Sequence, residues 1–306
     1  MATPRATFIA GAALLAVFAV PIQAAEAPRD RGEYLFRAAG CDGCHTDEKN
    51  RGPALAGGPA LKTGFGMFYA PNITPDPVHG IGRWSETDFI RALREGVSPA
   101  GEHYYPAFPY TSYTRFTDTD LRVLWDYLRR QQPVAQASKP HELPWYLRVR
   151  PLMAVWKIFF FSPGQYAPRP DKDEAWNRGA YLAESAVHCG ECHTPRNLLG
   201  APRRDMAYAG TRTGPEDSVV PNITPDKKTG IGRWRKREIA EYLDSGMTPD
   251  GDSAGDLMAE VIDRSTSLLT QADREAIATY LLSLPPIENA VRKEKKKPRG
   301  KDEFGF

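Results

Sequence analysis

Four cysteines stand in the chain, and they fall in two groups: Cys41-Asp42-Gly43-Cys44-His45 and Cys189-Gly190-Glu191-Cys192-His193. Each group sets two thiols three positions apart, with an imidazole directly after the second. Thiols separated by one short turn reach the two vinyl groups of a porphyrin, and the next residue then lies beneath the iron as its proximal ligand. In an exported chain four cysteines would ordinarily be read as two disulfides, and a single such unit could arise by chance or serve zinc. Two complete C-x-x-C-H units with no cysteine left over point instead to two covalently bound haem c groups. Cys41, Cys44, Cys189 and Cys192 would carry the thioethers, and His45 and His193 would be axial iron ligands.

The elements that hold these motifs are repeated. Pro71-Asn-Ile-Thr-Pro-Asp recurs as Pro221-Asn-Ile-Thr-Pro-Asp, and Gly80-Ile-Gly-Arg-Trp84 as Gly230-Ile-Gly-Arg-Trp234, both at an offset of 150. Upstream, Arg31-Gly-Glu-Tyr-Leu35 matches Arg178-Gly-Ala-Tyr-Leu182, each running into its C-x-x-C-H. Downstream, Thr117-Asp-Thr-Asp120 matches Thr270-Gln-Ala-Asp273. The chain therefore divides into a first unit over 25–133, a connector over 134–175 and a second unit over 176–287.

Each unit reads as helical. Residues 31–39 and 178–185 form short amphipathic helices leading into the haem motifs. Helices over 87–95 and 237–245 stop at Gly96 and Gly246. Thr117 and Thr270 look like N-caps of closing helices, with Asp120 and Asp273 placed for a capping-box-like start. No segment alternates well enough for a strand. The 27 prolines imply long irregular connections around the cofactors.

Outside the repeat, Arg5 and the apolar stretch 6–20, ending at Pro21 and Ile22-Gln23-Ala24, read as a signal peptide over 1–24 cleaved before Ala25. An uncleaved anchor is the alternative, but about 15 apolar residues fall short of the roughly 20 that span a bilayer. Charge is nearly balanced, 40 basic against 38 acidic side chains, so nothing argues for nucleic acid. The segment 288–306 is a basic tail expected to be solvated, with docking on an acidic partner or anionic lipid as the alternative.

Taken together, helix, C-x-x-C-H, loop, short helices, ligand loop and closing helix resemble class I cytochrome c. The phrases P-N-I-T-P-D, G-I-G-R-W and C-G-E-C-H-T-P-R-N are similar to those of the cytochrome c subunits of membrane-associated alcohol and sugar-acid dehydrogenases. The likeness covers roughly residues 30–287. Those subunits typically carry three haems, and this chain has two motifs. The resemblance implies an all-α fold of two tandem class I cytochrome c domains joined by an irregular connector. It also implies sixth ligands. The family's G-D-x-x-G-x-x-M-A-E is met by residues 251–260, making Met258 the second iron's ligand, while Met247 would pack under the loop. At the same offset the first unit has Phe108, which cannot ligate iron. Three readings stay open there: His103 from the same loop, Met67 from the preceding one, or a five-coordinate iron capped by Phe108 and tyrosines. Gly52-Pro53 resembles the family's G-P, whose prolyl carbonyl orients the proximal histidine; in the second unit Pro195 follows C-H-T directly, and the role is not carried over. Arg83/Trp84 and Arg233/Trp234 are candidates for haem propionate contacts or for packing. His188 is a candidate haem-edge residue or a surface one.

Within the connector, the apolar runs around 143–161 are broken by Arg148, Arg150 and Lys157 and cannot span a bilayer. The resemblance suggests a strap packed across both units, with an amphipathic patch for a membrane or a dehydrogenase as the competing view. The expected function is periplasmic electron transfer. Electrons would enter from a periplasmic dehydrogenase and leave to a cytochrome, an oxidase or a quinone-linked acceptor, with peripheral membrane association an open possibility. The alternative is a di-haem oxidoreductase, peroxidase-like or thiosulfate dehydrogenase-like, with its chemistry at the first haem.

Overall fold

Each half begins with a helix closed by an aspartate. In the computed structural model, which describes residues 30–291, Asp30 accepts the Gly32 and Glu33 amides to start α1 (Arg31–Ala38). Asp173 accepts the Trp176 amide to start α7 (Glu174–Glu184), four residues earlier than the sequence pattern suggested. Such carboxylates satisfy orphan amides and complement the helix dipole. The leader 1–24 lies outside the described residues, as does the tail from residue 292.

After each opening helix, one left-handed residue turns the chain into a five-residue helix that is the C-x-x-C-H unit itself. These are α2 (Cys41–His45), after Gly40, and α8 (Cys189–His193), after His188. Next come α3 (Glu86–Glu95) and α9 (Lys236–Ser245), ended by Gly96 and Gly246 in the left-handed conformation as expected. The ligand loops hold α4 (Tyr110–Tyr113) and α10 (Asp256–Arg264), and the halves close with α5 (Asp118–Arg129) and α11 (Gln271–Leu282).

Opening and closing helices cross at a glycine. A Cβ on Gly32 would lie 2.4 Å from the Val123 carbonyl oxygen, and one on Gly179 would lie 1.9 Å from that of Ala276. Only glycine lets the backbones approach so closely, which explains the shared R-G-x-Y-L phrase. Around these crossings runs one continuous apolar cluster drawn from both halves, including Leu35, Phe36, Phe116, Leu121 and Leu124 with Leu182, Ile277 and Leu281.

The N-caps are Thr117 and Thr270, which accept the Asp120 and Asp273 amides at 3.1 and 3.2 Å. The second half of the capping box is absent, because both carboxylates are used elsewhere. Asp120 takes Arg31 and Tyr181, and Asp273 takes Arg178 and Tyr34.

One expectation fails outright. Residues Ala60–Thr63 (β1) and Gly66–Tyr69 (β2) form an antiparallel hairpin with Leu61 opposite Phe68. Four-residue strands are too short for alternation to show, and a lone hairpin is marginal in water. This one is held from outside: Met67 and Glu142 exchange backbone hydrogen bonds at 3.0 Å, and Phe68 packs on Tyr105 and Leu143.

From there the connector runs over both halves. Tyr105 donates to the Leu147 carbonyl, and the chain then forms α6 (Pro151–Phe160). Trp156 donates to the Leu199 carbonyl in the second half, and Gly164 donates to Thr114 in the first. Among the described residues no helix is long and apolar enough to cross a membrane.

Candidate haem-binding sites

None of the four cysteines is in a disulfide. Burial pushes Cys41 and Cys189 up to about 12 and Cys192 up to about 11. Among the described residues no three His, Cys, Asp or Glu are grouped to hold a metal ion by themselves.

The two histidines are oriented identically. His45 Nδ1 lies 2.7 Å from the Pro71 carbonyl oxygen, and His193 Nδ1 lies 2.8 Å from that of Pro221. A carbonyl can only accept, so each Nδ1 carries the proton and each Nε2 keeps its lone pair for a metal. Burial lowers both imidazoles below their ordinary 6.5, favouring the neutral, ligating form. The carbonyl in the first unit is therefore not that of Pro53. Pro71 supplies it, and the second unit does have an equivalent, Pro221.

This gives the P-N-I-T-P-D phrase its purpose. Asn72 Oδ1 accepts the Thr74 amide and hydroxyl at 2.8 and 2.7 Å, and Asn222 does the same for Thr224 at 2.9 and 2.8 Å. Asn72 also donates to the carbonyls of Val134 and Gln136, and Asn222 to that of Ile287. The buried asparagine clamps the turn that places each prolyl carbonyl. The signal for it was the 150-residue repeat itself, which begins at the two prolines.

Two cysteines on one short helix, in no disulfide, and an imidazole whose Nδ1 is satisfied fit a c-type haem in both halves. Cys41, Cys44 and His45 would hold one, and Cys189, Cys192 and His193 the other. The group supplies one-electron redox chemistry.

On the ligand side, Met258 sits in α10, half-buried against the main core. Met247, expected beneath the loop, is instead 51% exposed: the loop is closed by backbone pairing of Met247 with Ser253 and needs no side chain under it. Phe108 lies against the core in an aromatic cage, 5.5 Å from Tyr104 and 5.7 Å from Tyr113 between ring centroids. His103 pairs through its backbone with Val97, and its Nδ1 is buried with no hydrogen-bond partner. Met67 is in β2, bonded to the connector. Trp84 and Trp234 pack on the core while Arg83 and Arg233 are exposed. The His188 ring packs against Tyr113 at 5.6 Å.

Each haem motif also touches the opposite half. Thr111 and Ser112 of the first half donate to Glu191 Oε1 at 2.6 and 2.7 Å, and Arg196 donates to Oε2 at 2.5 Å. Arg264 of the second half donates to Asp42 at 3.2 Å and also pairs with Glu48.

Comparison with known proteins agrees with this geometry. The chain is 45% identical over 266 residues to a di-haem cytochrome c-type protein of Cereibacter sphaeroides, covering 84% of this chain and 86% of that one. It is 41% identical to the fructose dehydrogenase cytochrome subunit of Gluconobacter japonicus and 38% identical to the gluconate 2-dehydrogenase cytochrome c subunit of Pantoea cypripedii. Those matches cover 83% and 86% of this chain but only 52% and 60% of the relatives, so the chain spans little more than half their length. No protein-family model matches. The chain belongs to the family of di-haem c-type cytochromes.

Proposed function

We propose that this protein is a periplasmic electron carrier with two covalently bound haem c groups, accepting electrons from a periplasmic dehydrogenase and passing them to a cytochrome, an oxidase or a quinone-linked acceptor. The observation that carries the reading is the duplicated histidine: two imidazoles, each held by a prolyl carbonyl and each next to a pair of cysteines that form no disulfide. The donor is supported by relatives that are named as cytochrome subunits of fructose, gluconate and quinone-dependent alcohol dehydrogenases. Met258 is the sixth ligand of the second iron in this reading. Export rests on the leader sequence over 1–24.

One observation favours a second reading, a di-haem oxidoreductase acting at the first haem. The 150-residue offset aligns Phe108 with Met258, and the Nδ1 of His103 on the same loop is buried without a partner.

The test is haem stoichiometry. Denatured, reduced pyridine haemochrome should give two haems per chain, and Cys41→Ser and Cys189→Ser should each abolish stable attachment at one site. A single haem in the wild type overturns the proposal.

A further inference from the structure

Helix α6 presents the wrong face to water. Its one charged side chain, Lys157, is buried, with Nζ donating to the carbonyls of Glu95 and Gly96 at 2.6 Å each and lying 4.5 Å from the centre of the Tyr110 ring. Trp156 is buried beside it. Leu152, Val155, Ile158 and Phe159 are exposed, the last two at 79% and 73%. At 100° per residue those four span an arc of about 120°, with Ile158 and Val155 turned away from Trp156 and Lys157 and with Leu152 and Phe159 bordering Trp156. A helix facing solvent has the reverse arrangement. The preceding turn adds exposed Trp145 and Tyr146, and the Trp156 indole ties in the exposed Leu199. Single exposed apolar residues are ordinary, but a continuous patch of this kind marks a docking surface. No described residue covers it.

The chemistry of the patch selects its occupant. The outer face of α6 offers no hydrogen-bonding side chain, whereas protein interfaces carry about one hydrogen bond per 100–200 Å². Hydrocarbon requires none. Ten residues make a helix about 15 Å long, too short to span a bilayer but suited to lying in its surface. Trp145 and Tyr146 are the residue types that settle at the headgroup level. Between Glu142 and Asp171 the chain carries four basic residues, Arg148, Arg150, Lys157 and Arg169, and no acidic one. Arg148 is exposed at the rim. Lys157 faces inward, Arg150 lies over the Tyr105 ring and Arg169 pairs with Asp171, so the charge that complements anionic headgroups is that of Arg148.

We propose that α6, with Trp145 and Tyr146, docks this protein peripherally on an anionic lipid bilayer. The proposal is independent of which redox partners the protein serves.

The test is co-sedimentation of the exported holoprotein with phosphatidylcholine vesicles, with and without phosphatidylglycerol. Wild type should partition onto the phosphatidylglycerol vesicles. Ile158→Glu/Phe159→Glu should bind about tenfold less or weaker still, with haem absorbance and unfolding temperature unchanged because both side chains are already exposed. Trp145→Ser/Tyr146→Ser should weaken binding in the same direction and serves if the first variant does not fold. Arg148→Glu should reduce the preference for phosphatidylglycerol. The proposal is overturned if wild type stays in the supernatant. It is equally overturned if Ile158→Glu/Phe159→Glu sediments like wild type, which would place binding in the tail or the leader. Self-association of wild type that the double variant abolishes, without vesicle binding, would assign the patch to protein contact instead.

Discussion

The Tyr34 hydroxyl donates to Asp273, 239 residues away, at 2.5 Å, and Tyr181 donates to Asp120 in the reciprocal position. Each aspartate also takes the arginine that precedes the tyrosine of its own half, Arg31 to Asp120 at 2.6 Å and Arg178 to Asp273 at 2.7 Å. Each tyrosine oxygen accepts the backbone amide of the opposing N-cap, Thr270 or Thr117. The Arg and Tyr of the R-G-x-Y-L phrase thus act on different halves, one bracing its own closing helix and the other latching its counterpart.

Breaking this latch should cost stability without touching haem. Hydrogen bonds to charged groups contribute about 1.5–3 kcal/mol, so Tyr34→Phe should lose about 2 kcal/mol in denaturant unfolding, and Tyr181→Phe a similar amount. The effect has a pH signature. Burial pushes Asp273 up, but Arg178 and the Tyr34 hydroxyl outweigh it and hold the carboxyl below its ordinary 3.8. A carboxyl with a depressed folded pKa stabilises above the unfolded value, and that stability disappears as pH falls through the folded one. The difference between wild type and Tyr34→Phe should therefore be full at neutral pH and shrink below about pH 4.

Glu191 should matter more than an ordinary haem-motif residue. Burial opposes its charge, yet Arg196 and the hydroxyls of Thr111 and Ser112 keep the carboxyl below its usual range. Glu191→Ala strands these donors and should cost about 3 kcal/mol. Glu191→Gln keeps the shape and removes the negative charge beside Cys192 and His193. In potentiometric titration the second haem should then become easier to reduce while the first moves less. Equal shifts at both would show that the charge acts on the whole interface and not on its own motif.

Much of this was legible in residue order because the chain states it twice. The haem motifs, the helix ends at Gly96 and Gly246 and the caps at Thr117 and Thr270 are local features, and a repeat doubles each signal. What sequence reading missed depends on partners far along the chain. The hairpin at residues 60–69 needs Glu142 to hold it, so its own pattern is too short to show. For orienting His45, Pro53 is the expected residue because Gly52-Pro53 resembles the family's G-P, whereas the oxygen that orients the ring comes from Pro71, brought there by Asn72 and the connector carbonyls. Asp120 resembles a capping-box residue by spacing, but buried Tyr181 and Arg31 are stronger claimants for its carboxylate.

Met258→His should keep the second iron low-spin and lower its potential markedly, since axial identity moves haem potentials over roughly 0.8 V across proteins. Met258→Ala should abolish the red-end thioether-to-iron absorbance band. Met247→Ala should change neither, because that side chain is half in solvent. Persistence of the band in Met258→Ala sinks the assignment.

The first iron decides between the two functional readings, and we propose His103 as its sixth ligand. Burial, with Lys157 and Arg91 nearby, holds its imidazole below the ordinary 6.5, and its Nδ1 lacks a partner. Against a large swing of the loop stands its backbone pairing with Val97, matched in the second half by Ser253 with Met247. Phe108, which the 150-residue offset aligns with Met258, lies in its aromatic cage. Low-temperature electron paramagnetic resonance of wild type, His103→Ala and Met67→Leu separates the outcomes. Bis-histidine signals lost in His103→Ala support a dedicated carrier with two staggered potentials. High-spin iron that binds added cyanide or carbon monoxide in wild type moves the reading to an oxidoreductase. A methionine signature lost only in Met67→Leu requires the β1–β2 hairpin to reach the distal face, which its bonds to Glu142 oppose.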